Sequence, residues 1–402
     1  MKRKIVFIHH CGTKSGAANS LITLIRHLDK AKFECLVLCP KGSAFGAFEE
    51  VADKVHLIQE LPEIITISGS SSNYVRLFKA ALLYRNLNEV YNIIDRLNPD
   101  IIHFNEISLS SVARRLKNDK RIIVFHARVV LDHKTNFLNQ FIIKRLNRYA
   151  DHVICIDESV RNLLNGLDKT SVVYNSYQFP QLELENNSTT THRKFGVLFL
   201  ANLIKYKGVF DLLEAAKLLK EHADIEIRIA GGNSRPDIFF KSLKGKILNL
   251  LGLVKDNRTI LQREIDKFNL NERIKLIGNV KDIEACILDC HVNIFPSYMD
   301  GPSRSIFEAG VFGKPSIISL HHKINDVVED EITGLVIDEH SPDQIAKAIL
   351  RLRDNREFLH AMGRNAKEKY MKLNDPVINA KNVERIYAKL LDKIVIHSET
   401  NC

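Results

Sequence analysis

The sequence predicts an α/β protein made of two parallel-sheet domains, and three observations carry that reading. Short apolar runs that read as buried strands alternate with stretches of helical period along the chain, the pattern of parallel sheets joined by crossover helices. At 402 residues the chain is longer than a single core usually organises. Residues 181–192, QLELENNSTTTH, hold few apolar groups and read as a linker, after which strand, helix, strand begins again.

Bulk composition narrows the class. Apolar content of 45% and charged content of 26% are ordinary for a soluble globular protein, and no run approaches the roughly 18 apolar residues of a membrane span. The start, MKRKIVFIHHCG, is basic and then apolar, but Ile5 to Ile8 is too short for a signal-peptide core. A cytoplasmic location is expected. Seven cysteines, an odd number, lie mostly in apolar runs; Cys286 and Cys290 are four apart, but no further Cys or His spacing completes a zinc site, so buried free thiols are expected. The net charge of +10 fits either a solvated basic surface or affinity for anionic lipid head groups or an anionic substrate. No nucleic-acid module is present, so nucleic acid is not an expected partner.

In the first half, KIVFI (4–8) is a strand, followed by HHCGTKSGAAN and a helical pattern at Leu21, Leu24, Ile25 and Leu28. The loop holds Gly16 and could bring backbone N–H groups near a phosphate, though it is neither GxGxxG nor a Walker A sequence. ECLVLC (34–39) is the next strand. Residues 74–97 have apolar groups at three- and four-residue spacing, with Arg76, Lys79 and Arg85 in the first half; such a helix packs on a sheet or docks on a membrane through its basic face. IIHF (101–104) and RIIVFHARVV (121–130) are strands. The second carries His126 near its end, either a packed core histidine or a residue at the functional edge of the sheet. Strand then helix follows over 150–164, and SVVYNSYQF over 171–179.

The second half opens with FGVLFLAN and a helix whose Leu212, Leu213, Ala216 and Leu219 share a face, with Lys205 and Lys207 in the loop before it. IEIRIAGGN follows. Residues 235–262 carry six basic residues against two acidic, a net +4, interleaved with Phe239, Phe240, Leu243, Ile247, Leu248, Leu250 and Leu251. This segment reads either as a helical excursion packed on its own domain or as a surface for lipid or a partner. Strand 272–280, a short helix over KDIEACILDC, and helices at 342–353 and about 376–393 complete the chain.

The stretch around which the chain is organised is Val292 to Ser319. VNIF reads as a strand, SYMDGPSRS as a polar loop, Ile306 to Phe312 as a short helix stopped by Gly313-Lys314-Pro315, and Ser316 onwards as a strand. Loops at the carboxyl ends of parallel strands are where open α/β sheets bind ligands, and a helix N-terminus there favours an anion. Read from spacing alone, Asp300 and Glu308 are either functional carboxylates or a turn cap and a surface partner for a lysine.

The stretch resembles the signature of retaining GT-B glycosyltransferases of family 4, the glycosyl transferases group 1. The matching residues are Pro296-Ser297, Asp300-Gly301, Glu308-Ala309 with the two acids eight positions apart, and Gly313-Lys314-Pro315. Asp300 stands where the family usually has Glu. ANLIKYKG (201–208) resembles the family's Gly-Arg-Leu…Lys-Gly motif, with Lys207 matching the Lys and Asn202 replacing the Arg. His126 matches a family histidine, only Gly16 with Ala17 remains where the family's first loop often has a glycine pair, and Ser176 replaces a glycine in SVVYNSYQF.

The resemblance implies two Rossmann-like parallel-sheet domains facing across a cleft. Residues 1–180 would bind the acceptor, 193–375 the donor, and a C-terminal helix at about 376–402 would pack back on the first domain. It implies transfer of a sugar, with retention, from a nucleotide sugar (UDP- or GDP-linked) to an acceptor, and the basic helix of the first half with the net charge favours a glycan or lipid-linked acceptor in cell-envelope or exported polysaccharide synthesis. His126, Lys207 and Glu308 would be catalytic. Gly16, Asn202, Lys205, Lys207, Gly208, Asp300, Gly301, Pro302, Ser303 and Glu308 would hold the donor, with Glu308 on the ribose and Asp300 on the transferred sugar. Lys205 could supply the charge that Asn202 lacks. No cofactor is expected, and with no Asp-x-Asp segment no metal. The basic helix of the first half favours a peripheral position on an anionic membrane surface. Two other readings share the resemblance: a nucleotide-sugar epimerase and a non-catalytic nucleotide-sugar binder.

Overall fold

The structure, a computed structural model, describes residues 2–63, 78, 80–117, 121–128, 136–177, 194–233, 235–298, 303–319 and 327–400. The chain divides into two compact units, Met1–Phe179 with Leu373–Cys402, and Pro180–Lys372. The linker expected at 181–192 lies outside the described residues, as do Arg76 and Lys79 of the expected basic helix and Asp300, Gly301 and Pro302.

The first unit runs β1 (Arg3–Ile8), α1 (Gly16–His27), β2 (Phe33–Pro40), α2 (Ser43–Glu49), β3 (Lys54–Ile58), α3 (Leu87–Leu97), β4 (Ile101–Phe104), α4 (Ala113–Leu116), β5 (Ile122–Ala127), α5 (Asn136–Tyr149), β6 (His152–Cys155), α6 (Glu158–Leu163) and β7 (Thr170–Val172). Its sheet has the order β3-β2-β1-β4-β5-β6-β7, and every recorded strand pair is parallel. Both faces are covered, so the strands read as continuous apolar runs rather than alternating ones. Val6 and Ile8 of β1 enter one cluster with Ile102, Phe104 and Phe125, while Ile5 and Phe7 enter another with α1. Of the helix expected over 74–97, residues 78 and 80–83 are helical, a 3-10 turn interrupts it at Tyr84–Asn86, and it runs on from Leu87 to Leu97.

The second unit runs β8 (Phe195–Leu200), α7 (Val209–Leu218), β9 (Ile225–Ala230), α8 (Asp237–Lys241), α9 (Leu243–Leu250), α10 (Asn257–Lys267), β10 (Ile274–Gly278), α11 (Ile283–Leu288), β11 (Val292–Phe295), α12 (Arg304–Val311), β12 (Ser316–Ser319), β13 (Gly334–Ile337), α13 (Pro342–Asp354) and α14 (Arg356–Leu373). The sheet order is β10-β9-β8-β11-β12-β13, again with parallel pairs.

The last helix, α15 (Pro376–Thr400), belongs to the first unit. Its Ala380, Val383 and Tyr387 join the core of β1, β2 and α1. The Asp29 N–H donates to Glu384 at 2.7 Å, and Tyr387 is bonded through its hydroxyl to His103 Nδ1 at 2.6 Å. No helix among the described residues is long and apolar enough to cross a membrane.

Candidate functional site

In each sheet the chain builds outward on one side of its first strand and then returns to the other, which creates a switch point where the loops at the strand ends diverge. In the second unit this lies between β8 and β11. The loop after β8 makes a 3-10 turn, Lys205–Lys207, and Gly208 then starts α7 with φ of +80°. A Cβ there would stand 1.7 Å from the Pro296 carbonyl oxygen, so only glycine allows the two loops to approach this closely. The contact is tied by the Tyr298 N–H, which donates to the Tyr206 carbonyl at 2.9 Å, and by the Ser297 hydroxyl on the same oxygen at 3.1 Å. Ser319 extends the tie to β12 by donating to the Ser297 carbonyl at 2.7 Å.

Lys207 is thereby seated beside aromatic rings. Its ammonium lies 4.9 Å from the Phe295 ring centre and 5.6 Å from that of Tyr206, and among the described residues no carboxylate or hydrogen-bond acceptor is recorded against it. Burial lowers its pKa from the usual lysine range to about 8. Across the junction, Ser303 caps α12, accepting from the Ser305 N–H at 3.4 Å. Glu308 is buried, and its partner is not a surface lysine but Arg304, one turn earlier, whose Nε donates to its carboxylate at 2.5 Å. Burial raises the Glu308 pKa and the Arg304 charge opposes that rise. A carboxylate held this way can accept hydrogen bonds from paired hydroxyls.

Asn202 is exposed and Lys205 is exposed. Asn202 lines a pocket of about 170 Å³ with Ala201, Gly231, Asn279, Val280 and Ile283; Lys207 is not on its lining.

In the first unit the switch point lies between β1 and β4. Gly16 is the first residue of α1, behind its cap Ser15. His126 is buried on the face of β5 that packs beneath α1 and α15, in a crevice with Ser20, Leu24, Asn379 and Val383. Its Nδ1 accepts from Arg128 Nη2 at 3.2 Å, while Nε2 has no hydrogen-bond partner among the described residues. Burial first, then the charge of Arg128, then His103 hold its pKa well below the usual imidazole range. Arg128 was not legible as a site residue. It donates from Nε to Asn105 Oδ1 at 2.7 Å and from Nη1 to Asn175 Oδ1, and Asn105 Nδ2 donates to His9 Nδ1 at 3.0 Å and to the Ala17 carbonyl at 3.2 Å. His9 and His103 are each held down to about 3, chiefly by burial. Glu106, which accepts from the Ile107 N–H at 2.8 Å, is pushed up to about 8 by burial.

The family of Glycosyl transferases group 1 matches residues 181–369, and Glycosyltransferase Family 4 matches residues 14–177. An uncharacterised glycosyltransferase from Methanocaldococcus jannaschii is 25% identical over 301 residues, covering 70% of both chains. The poly(ribitol-phosphate) alpha-N-acetylglucosaminyltransferase of Staphylococcus aureus is 21% identical over 262 residues, 63% of this chain and 47% of that one. Among solved structures, Anabaena Alr3699/HepE in complex with UDP-glucose superposes with a TM-score of 0.75 at 18% identity, over 96% of this chain and 99% of that one. With two parallel-sheet units of matching topology and both halves of the sequence assigned, the chain belongs to the group 1 glycosyltransferases and has the GT-B fold.

Proposed function

We propose that this glycosyltransferase moves a sugar, with retention, from a nucleotide-sugar donor to a glycan or lipid-linked acceptor in cell-envelope or exported polysaccharide synthesis. The observation that carries the donor class is Lys207: a half-buried cation with aromatic neighbours and, among the described residues, no anion against it, in the same unit as the capped N-terminus of α12. A diphosphate supplies the missing charge, and its leaving group gains negative charge as the glycosidic bond breaks. Lys207 and the α12 N–H groups stabilise that developing charge, the kind of interaction that dominates such catalysis. Glu308 takes the ribose hydroxyls, with Arg304 opposing the rise in its pKa that burial causes. Gly208, Ser303, Asn202 and Lys205 complete the donor site together with Asp300, Gly301 and Pro302. His126 and Gly16 serve at the acceptor-domain side, and the reaction needs no metal. The HepE complex with UDP-glucose supports a UDP-linked donor, and the S. aureus relative, a poly(ribitol-phosphate) alpha-N-acetylglucosaminyltransferase, supports a polymeric acceptor.

A thermal-shift panel of UDP-, GDP-, ADP- and CMP-sugars, with and without chelator, tests this. The expected result is stabilisation by one nucleotide class, UDP first, unaffected by chelator and absent in Glu308→Ala. Stabilisation by none of them would overturn the donor assignment, and loss on adding chelator would overturn metal independence.

A further inference from the structure

The segment after β9 is folded with its apolar face outward. In α9, Leu243, Ile247, Leu250 and Leu251 stand at i, i+4, i+7 and i+8, one stripe of a helix, and all are exposed, from 49% for Ile247 to 88% for Leu250. Ile238 on α8 and Leu253 after α9 are exposed with them. The inward side of α9 is Gly245, buried so closely on α8 that a Cβ would meet the Phe239 carbonyl oxygen at 1.8 Å. The element is also fastened at its base. Phe240 is buried, Asn249 accepts from the Asp256 N–H at 3.2 Å, and Asp256 accepts from Asn233 at 2.9 Å while capping α10. An outward apolar stripe is therefore a property of the folded unit, and a contiguous one marks an interaction surface.

Charge identifies the occupant. At about 100° per residue, Lys244 and Lys246 fall on either side of the stripe, and both are exposed. Their stems can lie along apolar surface while the ammonium groups reach outward. With Arg235, Lys241, Lys255 and Arg258 against Asp237 and Asp256, residues 235–262 carry +4. A second copy seated on this face would bring two such patches together, whereas anionic lipid head groups neutralise them. We infer that α8 and α9 form a membrane-surface anchor in the second unit: the Leu243–Leu251 stripe lies in the head-group boundary of an anionic bilayer and the flanking lysines pair with lipid phosphates. Because the segment follows β9 at its carboxyl end, the anchor sits at the same edge of the sheet as the loops bearing Lys207 and Ser303.

Vesicle flotation tests this independently of any donor or activity. The full chain should float with vesicles of phosphatidylcholine containing roughly a third phosphatidylglycerol at least about tenfold better than with phosphatidylcholine alone. The double variant Ile247→Ser/Leu250→Ser should lose at least about tenfold of that binding, and Lys244→Gln/Lys246→Gln should lose the anionic preference. The chain has no tryptophan, so Leu250→Trp is a clean reporter: its emission should move to shorter wavelength only with anionic vesicles. Equal recovery on both vesicles, undiminished binding by the serine variant, or an unmoved emission would overturn the anchor. So would a dimer in sedimentation velocity that the serine variant dissociates, which would assign the face to a second copy.

Discussion

The two units carry a cation near each switch point and treat it in opposite ways. Arg128 in the first unit is surrounded by acceptors: Asn105, Asn175 and His126 each take one of its N–H groups, and Asn105 passes the network on to His9 and the first turn of α1. Lys207 in the second unit has aromatic rings and, among the described residues, no acceptor. A network of this kind fixes the geometry of the guanidinium. A desolvated cation without a counter-charge favours whatever anion arrives. The contrast is between a cation held in a hydrogen-bond network and one that faces aromatic rings with no counter-charge among the described residues.

The largest effect expected from this contrast is on turnover. Lys207→Ala and Glu308→Ala should each slow sugar transfer by at least roughly a hundredfold, measured as nucleotide release with saturating donor. Wild-type rates in Lys207→Ala would remove the distinction between the two cations.

A smaller effect separates the units by pH. His9 and His103 have folded pKa values of about 3, below the ordinary 6.5. Their contribution to stability is full above pH 6.5 and is lost as pH falls towards 3. At pH 5 each should lower the stability of the first unit by about 2 kcal/mol. Lys207 acts from the alkaline side: with a folded pKa of about 8 against an ordinary 10.5, its contribution is full above 10.5 and is lost as pH falls to 8. Hydrogen exchange read unit by unit at pH 7 and 5, corrected for intrinsic rates, should show acid loosening in the first unit. Loosening confined to the second would contradict the assignment.

The smallest effect is at Asn202. Asn202→Arg should leave donor affinity unchanged or raise it, since the side chain is exposed and lines a pocket of its own. A large loss, measured by titration calorimetry, would mean that Asn202 has a partner in the bound state.

Much of this arrangement is legible in the sequence wherever local chemistry decides it. Continuous apolar runs mark β1, β2, β4, β5, β8 and β11, while the Lys207-Gly208 pair and Glu308 stand out only by their resemblance to the family's motifs, spacing alone leaving their role open. What escapes is set by distant or weak signals. β3, KVHLI, is an edge strand with only Ile58 buried, so it lacks an apolar run. Helix α14 buries a narrow stripe, with Leu359, Met362, Ala366 and Tyr370 as its main members, within an otherwise polar segment. α2 and α5 were likewise not apparent. Arg128 reaches partners 23 and 47 residues away, which no local pattern encodes. The interleaved lysines and leucines of 243–251 were visible, but sequence alone left open whether the leucines pointed in or out.

The return of α15 to the first unit also sets an order on synthesis. The first sheet is complete through β7 by residue 172, yet the helix that supplies Ala380, Val383 and Tyr387 to its core is made only after all of 180–372. While the ribosome builds that stretch, Phe33, Ile5 and His103 await partners that do not yet exist. The second unit, continuous in the chain, can finish first, although it is the later of the two to begin. The loop closed by the His103–Tyr387 bond spans 284 residues, so the last contact of the first unit is also among its most costly in chain entropy.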